Sequence, residues 1–196
     1  MQGEKIIIQD YDPKWIEQFE TIEALLILNL KNQIIKIEHI GSTSVPGMKA
    51  KPIIDLDIVI EDDNNILKIV ISKLGNLGYI HLGEMGISGR EAFKRVSSQS
   101  ASIGSKEEWF EHNLYVCKKD SVGLINHLTL RNYLNENPIK VIEYSNLKKE
   151  LVKKFPYDID SYVDGKTDFI LKILKENGVK SSDTELIEIQ NRLRSD

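Results

Sequence analysis

The residues best placed to do chemistry lie between positions 38 and 58. Ile35-Lys36-Ile37-Glu38-His39-Ile40 alternates apolar and polar side chains with period two, which predicts a half-buried strand. It runs into the turn-rich loop Gly41-Ser42-Thr43-Ser44-Val45-Pro46-Gly47 and then into Ile53–Ile60, apolar and β-branched except for Asp55 and Asp57. Side chains two apart on a strand project the same way, so both carboxylates share a face. Two neighbouring anions inside an apolar strand are costly unless a cation or basic side chains neutralise them. A divalent ion fits that need, since Mg²⁺ typically uses one or two protein carboxylates plus the phosphates of a substrate. Gly41 lets backbone approach a ligand closely, and Ser42 and Thr43 add hydroxyl donors suited to phosphate oxygens.

The same Asp-x-Asp spacing also describes the solvent face of an edge strand. Against that stands the run Ile53, Ile54, Leu56, Ile58, Val59 and Ile60, which reads as buried on both faces. The P-loop pattern is excluded: counted from Gly41, its second glycine falls on Pro46, and Gly47 is followed by Met48 rather than lysine.

Further along the chain, Lys51, Arg131, Lys148 and Lys166 are candidate counter-charges to a polyphosphate. Arg131 is the strongest, because a planar guanidinium grips phosphate in bidentate fashion. For Lys148 and Lys166 the alternative is a solvated helix face. His39 reads equally as a ligand-facing donor or as a core histidine bonded to backbone. His127, flanked by Ile125 and Leu128, reads as structural, and His81 and His112 have no metal-site spacing. Cys117 reads as a small core hydrophobe.

The elements that must hold these groups follow from periodicity. A strand is expected at Lys5–Ile8. A helix capped by Asp12 with Pro13 in its first turn then carries Trp15, Phe19, Ile22, Leu25, Leu26 and Leu30 on one stripe. After the aspartate strand, a helix opening at Asn64 or Asn65 runs through Leu67, Val70, Ile71 and Leu74 and stops near Gly75 or Gly78. Strands are expected at Tyr79–Leu82, Glu91–Val96 and Asn113–Lys118, with Gly83, Gly86 and Gly89 marking an exposed loop. Helices are expected over Val122–Asn135, Pro138–Phe155 and Ser161–Asn177. This order predicts an α+β fold, a mixed sheet flanked by helices with a helical C-terminal half. Residues 1–178 read as one domain. Residues 179–196 read as a polar tail whose periodic stretch, Leu186, Ile187, Ile189 and Leu193, forms a short helix that docks on the body or on a second copy.

Composition narrows the classes. The 196 residues carry 26 basic and 30 acidic side chains, a net charge of −4, which excludes a dominant basic field for nucleic acid. No basic, aromatic-interleaved stripe is present either. With 41% hydrophobic and 29% charged residues the chain can bury a core. One cysteine excludes an intrachain disulfide and a thiolate zinc cluster. No secretory leader and no apolar run of about 20 residues is apparent, so a cytoplasmic protein without a membrane span is expected.

The string His39 to Gly47, followed by Ala50-Lys51-Pro52-Ile53-Ile54-Asp55, resembles the signature of the GrpB family, within the polymerase-β-type nucleotidyltransferase superfamily. The opening Tyr11-Asp12-Pro13-x-Trp15 is similar to the family's N-terminus. So are His127-Leu128 with Arg131-x-Tyr133-Leu134, Tyr144 with Leu147-Lys148, and Tyr162 with Lys166. The resemblance spans residues 8 to 175. It implies that Gly41 and Ser42 hold the phosphates of a nucleoside triphosphate and that Asp55 and Asp57 ligate Mg²⁺ or Mn²⁺. The activity implied is transfer of a nucleotidyl group to an unidentified hydroxyl acceptor. Asn113 and Tyr115 stand where the family offers histidines, and Asn132 where it tends to have aspartate. These departures leave open a second reading, a binding module that keeps the transferase scaffold without turnover.

Overall fold

The structure is a computed structural model that describes residues 4–95 and 110–192. Helix α1 (Lys14–Leu30) begins just after Pro13, with the Asp12 carboxylate accepting from the Lys14 N–H at 3.0 Å. It buries Trp15, Ile22, Leu26 and Leu30, the three- and four-residue spacing that the sequence displays. Strand β1 (Lys36–Ile40) leads through a 3₁₀ turn at Ser42–Ser44 to strand β2 (Ile54–Ile60). Helix α2 (Asn64–Asn76) follows. Its N-cap is Asp63, whose carboxylate accepts from the N–H groups of Asn65 and Ile66, rather than either asparagine.

Strands β3 (Tyr79–Gly83), β4 (Arg90–Arg95) and β5 (His112–Lys118) complete one sheet in the order β1-β2-β5-β4-β3. β2 and β5 pair parallel and the other neighbours antiparallel, so the sheet is mixed. Val96, expected to end the fourth of these strands, lies outside the described residues.

β2 is interior, with β1 on one side and β5 on the other. Its even positions, Ile54, Leu56, Ile58 and Ile60, pack with Leu114, Val116 and Phe93 against α1 and α2. Its odd positions, Asp55, Asp57 and Val59, face the other layer. There Val59 and Cys117 meet Leu124 and Leu128 of helix α3 (Val122–Glu136). Helix α4 (Pro138–Lys154) starts on a proline and packs through Val141 and Tyr144 against Val45, Met48 and Leu134.

Two expectations need correction. The segment Lys5–Ile8 is not a strand of the sheet: Ile6 donates its N–H to Pro156 and buries its side chain with Leu151 and Tyr162, while Gln9 forms a lone bridge with Ala50. Its apolar contacts lie in the helical half, which draws it away from the sheet edge. The helix expected over 161–177 is broken into α5 (Ile159–Asp164) and α6 (Thr167–Glu176). At the break, a Cβ on Gly165 would sit 2.3 Å from Leu151 Cδ2, so glycine permits the chain to press onto α4. The tail forms α7 (Ser181–Arg192), which packs on α6 and α5 and buries Thr184, while Ile189 is exposed. Leu193 lies outside the described residues. Among the described residues no helix is long and apolar enough to cross a membrane.

Candidate functional site

The site forms where the Gly41 turn folds over the start of β2. Gly41 has φ +70° and ψ −168°, a conformation that essentially only glycine adopts. A Cβ there would lie 2.2 Å from Asp55 Oδ2, so the turn also needs glycine because the carboxylate occupies that space. Ser44 Oγ donates to the Gly41 carbonyl at 2.7 Å and closes the turn. α4 clamps the loop from behind. Ser145 Oγ accepts from the Lys49 N–H at 3.1 Å, and Lys148 Nζ donates to Ser42 Oγ at 2.8 Å.

The two aspartates share a face and differ in surroundings. Asp55 is half-buried, with Oδ1 accepting from Asn113 Nδ2 at 2.8 Å. Burial raises its pKa above the usual carboxylate range, opposed by that hydrogen bond, by His127 when its ring is protonated, and by the charges of Lys51 and Lys166. Asp57 is 0% exposed, accepts at Oδ2 from His127 Nδ1 at 2.8 Å, and has no hydrogen-bond partner at Oδ1.

Two cavities meet at Asp55, and Asp57 lines neither. The smaller, about 190 Å³, is bounded by Gly41, Ser42, Asp55, His127, Arg131 and Lys166. The larger, about 330 Å³, shares Ser42, Asp55, Tyr115 and Lys166 with it and adds Lys51, Asn113 and Lys148. Together they make a cationic hollow around one carboxylate. Lys148 is 2% exposed, with Nζ 4.6 Å from the centroid of the Tyr144 ring and no carboxylate at ion-pair distance among the described residues. Burial and then the charge of Lys166 hold its pKa well below the usual lysine range, while Asp55 pulls the other way. Lys166, which caps α6 at the helix break, lies over the Tyr162 ring at 4.5 Å. Arg131 is engaged: it donates to Glu38 Oε2 at 2.6 Å and to the His39 carbonyl at 3.0 Å.

The turn thus brings together Gly41, Ser42, Asp55, Lys51, Lys148, Lys166 and Arg131. Of the two other candidates, Thr43 also lines the larger cavity, whereas His39 points elsewhere. His39 stacks on Phe19 at 4.6 Å on the α1 side of the sheet, and its Nε2 meets Thr43 Oγ1 at 3.0 Å. Burial, then Arg131, lowers its pKa to about 4. Thr43 is buried and shares its hydroxyl with His39 and the Ile53 carbonyl, so it fastens the turn to β2. The Gly83–Gly89 segment lines neither cavity and closes on itself, Gly89 N–H donating to Glu84. Cys117 is buried, as a core role requires.

Sequence reasoning places His127 among structural residues, yet it lines the smaller cavity. A signal is present: His127 and Arg131 are four apart on α3 and so share a helix face. Tyr115, Tyr144 and Tyr162 also wall the hollow, and nothing in their spacing marks them.

The donor set fits a divalent cation only in part. Among the described residues no three His, Cys, Asp or Glu side chains gather as a metal site. Asn113, aligned with Asp55 across the parallel β2–β5 pair, presents an amide N–H to it and no further carboxylate. Asp55 is the one carboxylate among the side chains lining the two cavities that could ligate such an ion, and the remaining ligands would have to come with it.

A mixed sheet with a Gly-Ser turn over an aspartate strand defines the chain as a protein of nucleotidyltransferase-like fold, and solved structures agree. The Cid1 poly(U) polymerase matches with a TM-score of 0.55 at 15% identity, over 89% of this chain and 54% of that one. A cytoplasmic RNA terminal U-transferase matches with a TM-score of 0.56 at 14% identity, over 88% and 52%. The chain belongs to the GrpB family, whose model, described as GrpB protein, matches residues 5–176. It is 31% identical to the glutamate-rich protein GrpB of Alkalihalophilus pseudofirmus, over 88% of this chain and 95% of that one. The crystal structure of GrpB from Enterococcus faecalis matches with a TM-score of 0.72 at 37% identity, over 87% and 96%. The UPF0157 protein YqkA of Bacillus subtilis is 34% identical over 88% of this chain, which spans only 47% of YqkA.

Proposed function

We propose that this protein binds a nucleoside triphosphate in the hollow beneath the Gly41 turn and transfers its nucleotidyl group to a hydroxyl acceptor. The observation that carries the reading is Lys148. A lysine amine buried to 2% exposure, bonded to Ser42 and lacking a carboxylate at ion-pair distance among the described residues, holds a positive charge only at a cost. A polyphosphate would supply the missing negative charge. Lys166 and Lys51 line the same hollow and serve the same anion, and the Ser42 hydroxyl orients Lys148 toward it. Asp55 would hold Mg²⁺ or Mn²⁺, which when bound neutralises phosphate charge and activates the α-phosphorus. Gly41 keeps the Asp55 carboxylate accessible by leaving it the space a side chain would fill.

A second reading, a binding module without turnover, is favoured by Asn113, whose amide stands beside Asp55 where an acid could have completed a metal site. Calorimetric titration with ATP, GTP, CTP and UTP, with and without Mg²⁺, tests both. Binding that needs Mg²⁺ and weakens at least tenfold in Asp55→Asn and Lys148→Met supports the common core of the two readings. Silence with all four nucleotides and folded protein removes it. Triphosphates labelled at the α-phosphate then separate the readings: bound nucleotide that is never converted, with any acceptor in cell extract, favours the module.

A further inference from the structure

Asp57 and His127 form a second polar unit at the edge of the same cavity. A fully buried carboxylate has two acceptor oxygens, and here Oδ2 takes the His127 Nδ1 at 2.8 Å while Oδ1 has no hydrogen-bond partner. In this pairing the ring N–H donates and the carboxylate oxygen accepts, so Nδ1 carries the hydrogen of that bond. His127 Nε2 is then the nitrogen with a free lone pair. It makes no hydrogen bond among the described residues, and the ring lines the cavity beside Asp55, Tyr115 and Lys166. The Tyr115 ring, 5.7 Å from the imidazole between centroids, and Arg90 over that tyrosine at 4.9 Å hold the imidazole from the β5 side. No other side chain bounding the cavity is an imidazole.

Resting on the transferase reading of the hollow, we propose that His127 accepts the proton of the attacking hydroxyl and that Asp57 is its positioning residue rather than a metal ligand. In the transfer, the acceptor O–H bond breaks as Nε2–H forms, and the freed oxygen bonds to the α-phosphorus. The bond from that phosphorus to the bridging oxygen of pyrophosphate breaks, and pyrophosphate leaves with the electron pair. A side chain at this place answers what Asn113 cannot do, since an amide does not take up a proton at neutral pH.

The test uses the whole chain in two experiments. In the first, long-range ¹H–¹⁵N spectra of the histidine rings, assigned with His127→Gln, read the tautomer directly. Neutral His127 protonated at Nδ1, with that preference lost in Asp57→Asn, supports the pair. Protonation at Nε2 in the wild type, or a tautomer unchanged in Asp57→Asn, overturns it. In the second, α-³²P-labelled ATP, GTP, CTP and UTP with Mg²⁺ are incubated with water as acceptor, and release of nucleoside monophosphate is followed. The expected loss in Asp57→Asn and His127→Gln is about 10²-fold or more, with triphosphate affinity within about threefold of wild type. Partial rescue of His127→Ala by added imidazole is expected too, which a purely structural histidine would not show. An undiminished rate in His127→Gln, a loss matched by lost affinity, or wild-type binding without any release overturns the proton step. If triphosphates do not bind the wild type at all, the transferase reading itself fails and this step with it, whereas the tautomer measurement still judges the Asp57–His127 pair. Should Asp57→Asn not fold, His127→Gln and the imidazole rescue decide whether the proton step stands.

Discussion

The even and odd residues of β2 belong to one strand and obey different demands. Ile54, Leu56, Ile58 and Ile60 are sealed against α1 and α2, where close packing alone decides which side chain fits. Asp55 and Asp57, one residue out of step with them, meet a layer of lysines, a histidine and an arginine. On the first side the four β2 side chains carry nothing polar to satisfy. On the second, the two carboxylates meet charges and hydrogen-bond donors, and three polar groups are left in a state that folding alone would not select. Those are the raised pKa of Asp55, the lone Oδ1 of Asp57 and the lowered pKa of the buried Lys148. The contrast separates residues that make the fold from residues the fold tolerates for another purpose.

Substitutions can break that contrast or sharpen it. The largest effect on stability is expected on the apolar side: Leu56→Ala should lower unfolding free energy by about 2–5 kcal/mol in a denaturant titration. The Kd for triphosphate of the protein that remains folded should be unchanged. Next comes the boundary between the sides. Gly41→Ala forces a side chain into positive φ and onto Asp55 Oδ2, so a stability loss of about 1–3 kcal/mol is expected together with loss of calorimetric binding.

On the polar side the sign should reverse. Because the folded-state pKa of Asp55 is raised, the native state binds more protons than the unfolded chain between the ordinary aspartate value and that raised one. Stability therefore falls as pH rises through this window and stays diminished above it. Asp55→Asn should abolish that fall and stabilise the protein at neutral pH by roughly 0.5–2 kcal/mol, while weakening triphosphate binding. A destabilised Asp55→Asn would show that the carboxylate serves the fold instead.

The smallest effect is expected at Lys148. Its lowered folded-state pKa means that the unfolded chain binds more protons between that value and the ordinary lysine range. Stability should accordingly rise with pH across this interval. Lys148→Met should be neutral or stabilised by about 1 kcal/mol at neutral pH and should lose the rise. Thermal unfolding at a series of pH values reads both variants.

The same division explains what can be read from the amino-acid order. Elements whose reason is periodic burial are legible there: α1 from Trp15 to Leu30, and β2 as an interior strand. The Gly41–Asp55 contact is legible in outline, because glycine, hydroxyls and paired acids close together already suggest an anion and a cation. The fate of each carboxylate is not. Whether Asp57 faces a cavity or His127 depends on where α3, some 70 residues later, lays its side chains. The same holds for the break at Gly165, since the crowding by Leu151 that demands it comes from another helix. Lys5–Ile8 misleads for a related reason: four residues of strand-like composition do not say which surface will bury them.

The bond from Lys148 to Ser42 joins positions 106 residues apart, and the neighbouring one from Ser145 to Lys49 spans 96. The rim of the hollow is therefore stitched from opposite ends of the polypeptide. A truncated version stopping before Pro138 would retain the five described strands yet forfeit the basic floor under its serine, so any attempt to miniaturise this scaffold has to carry helix α4 along.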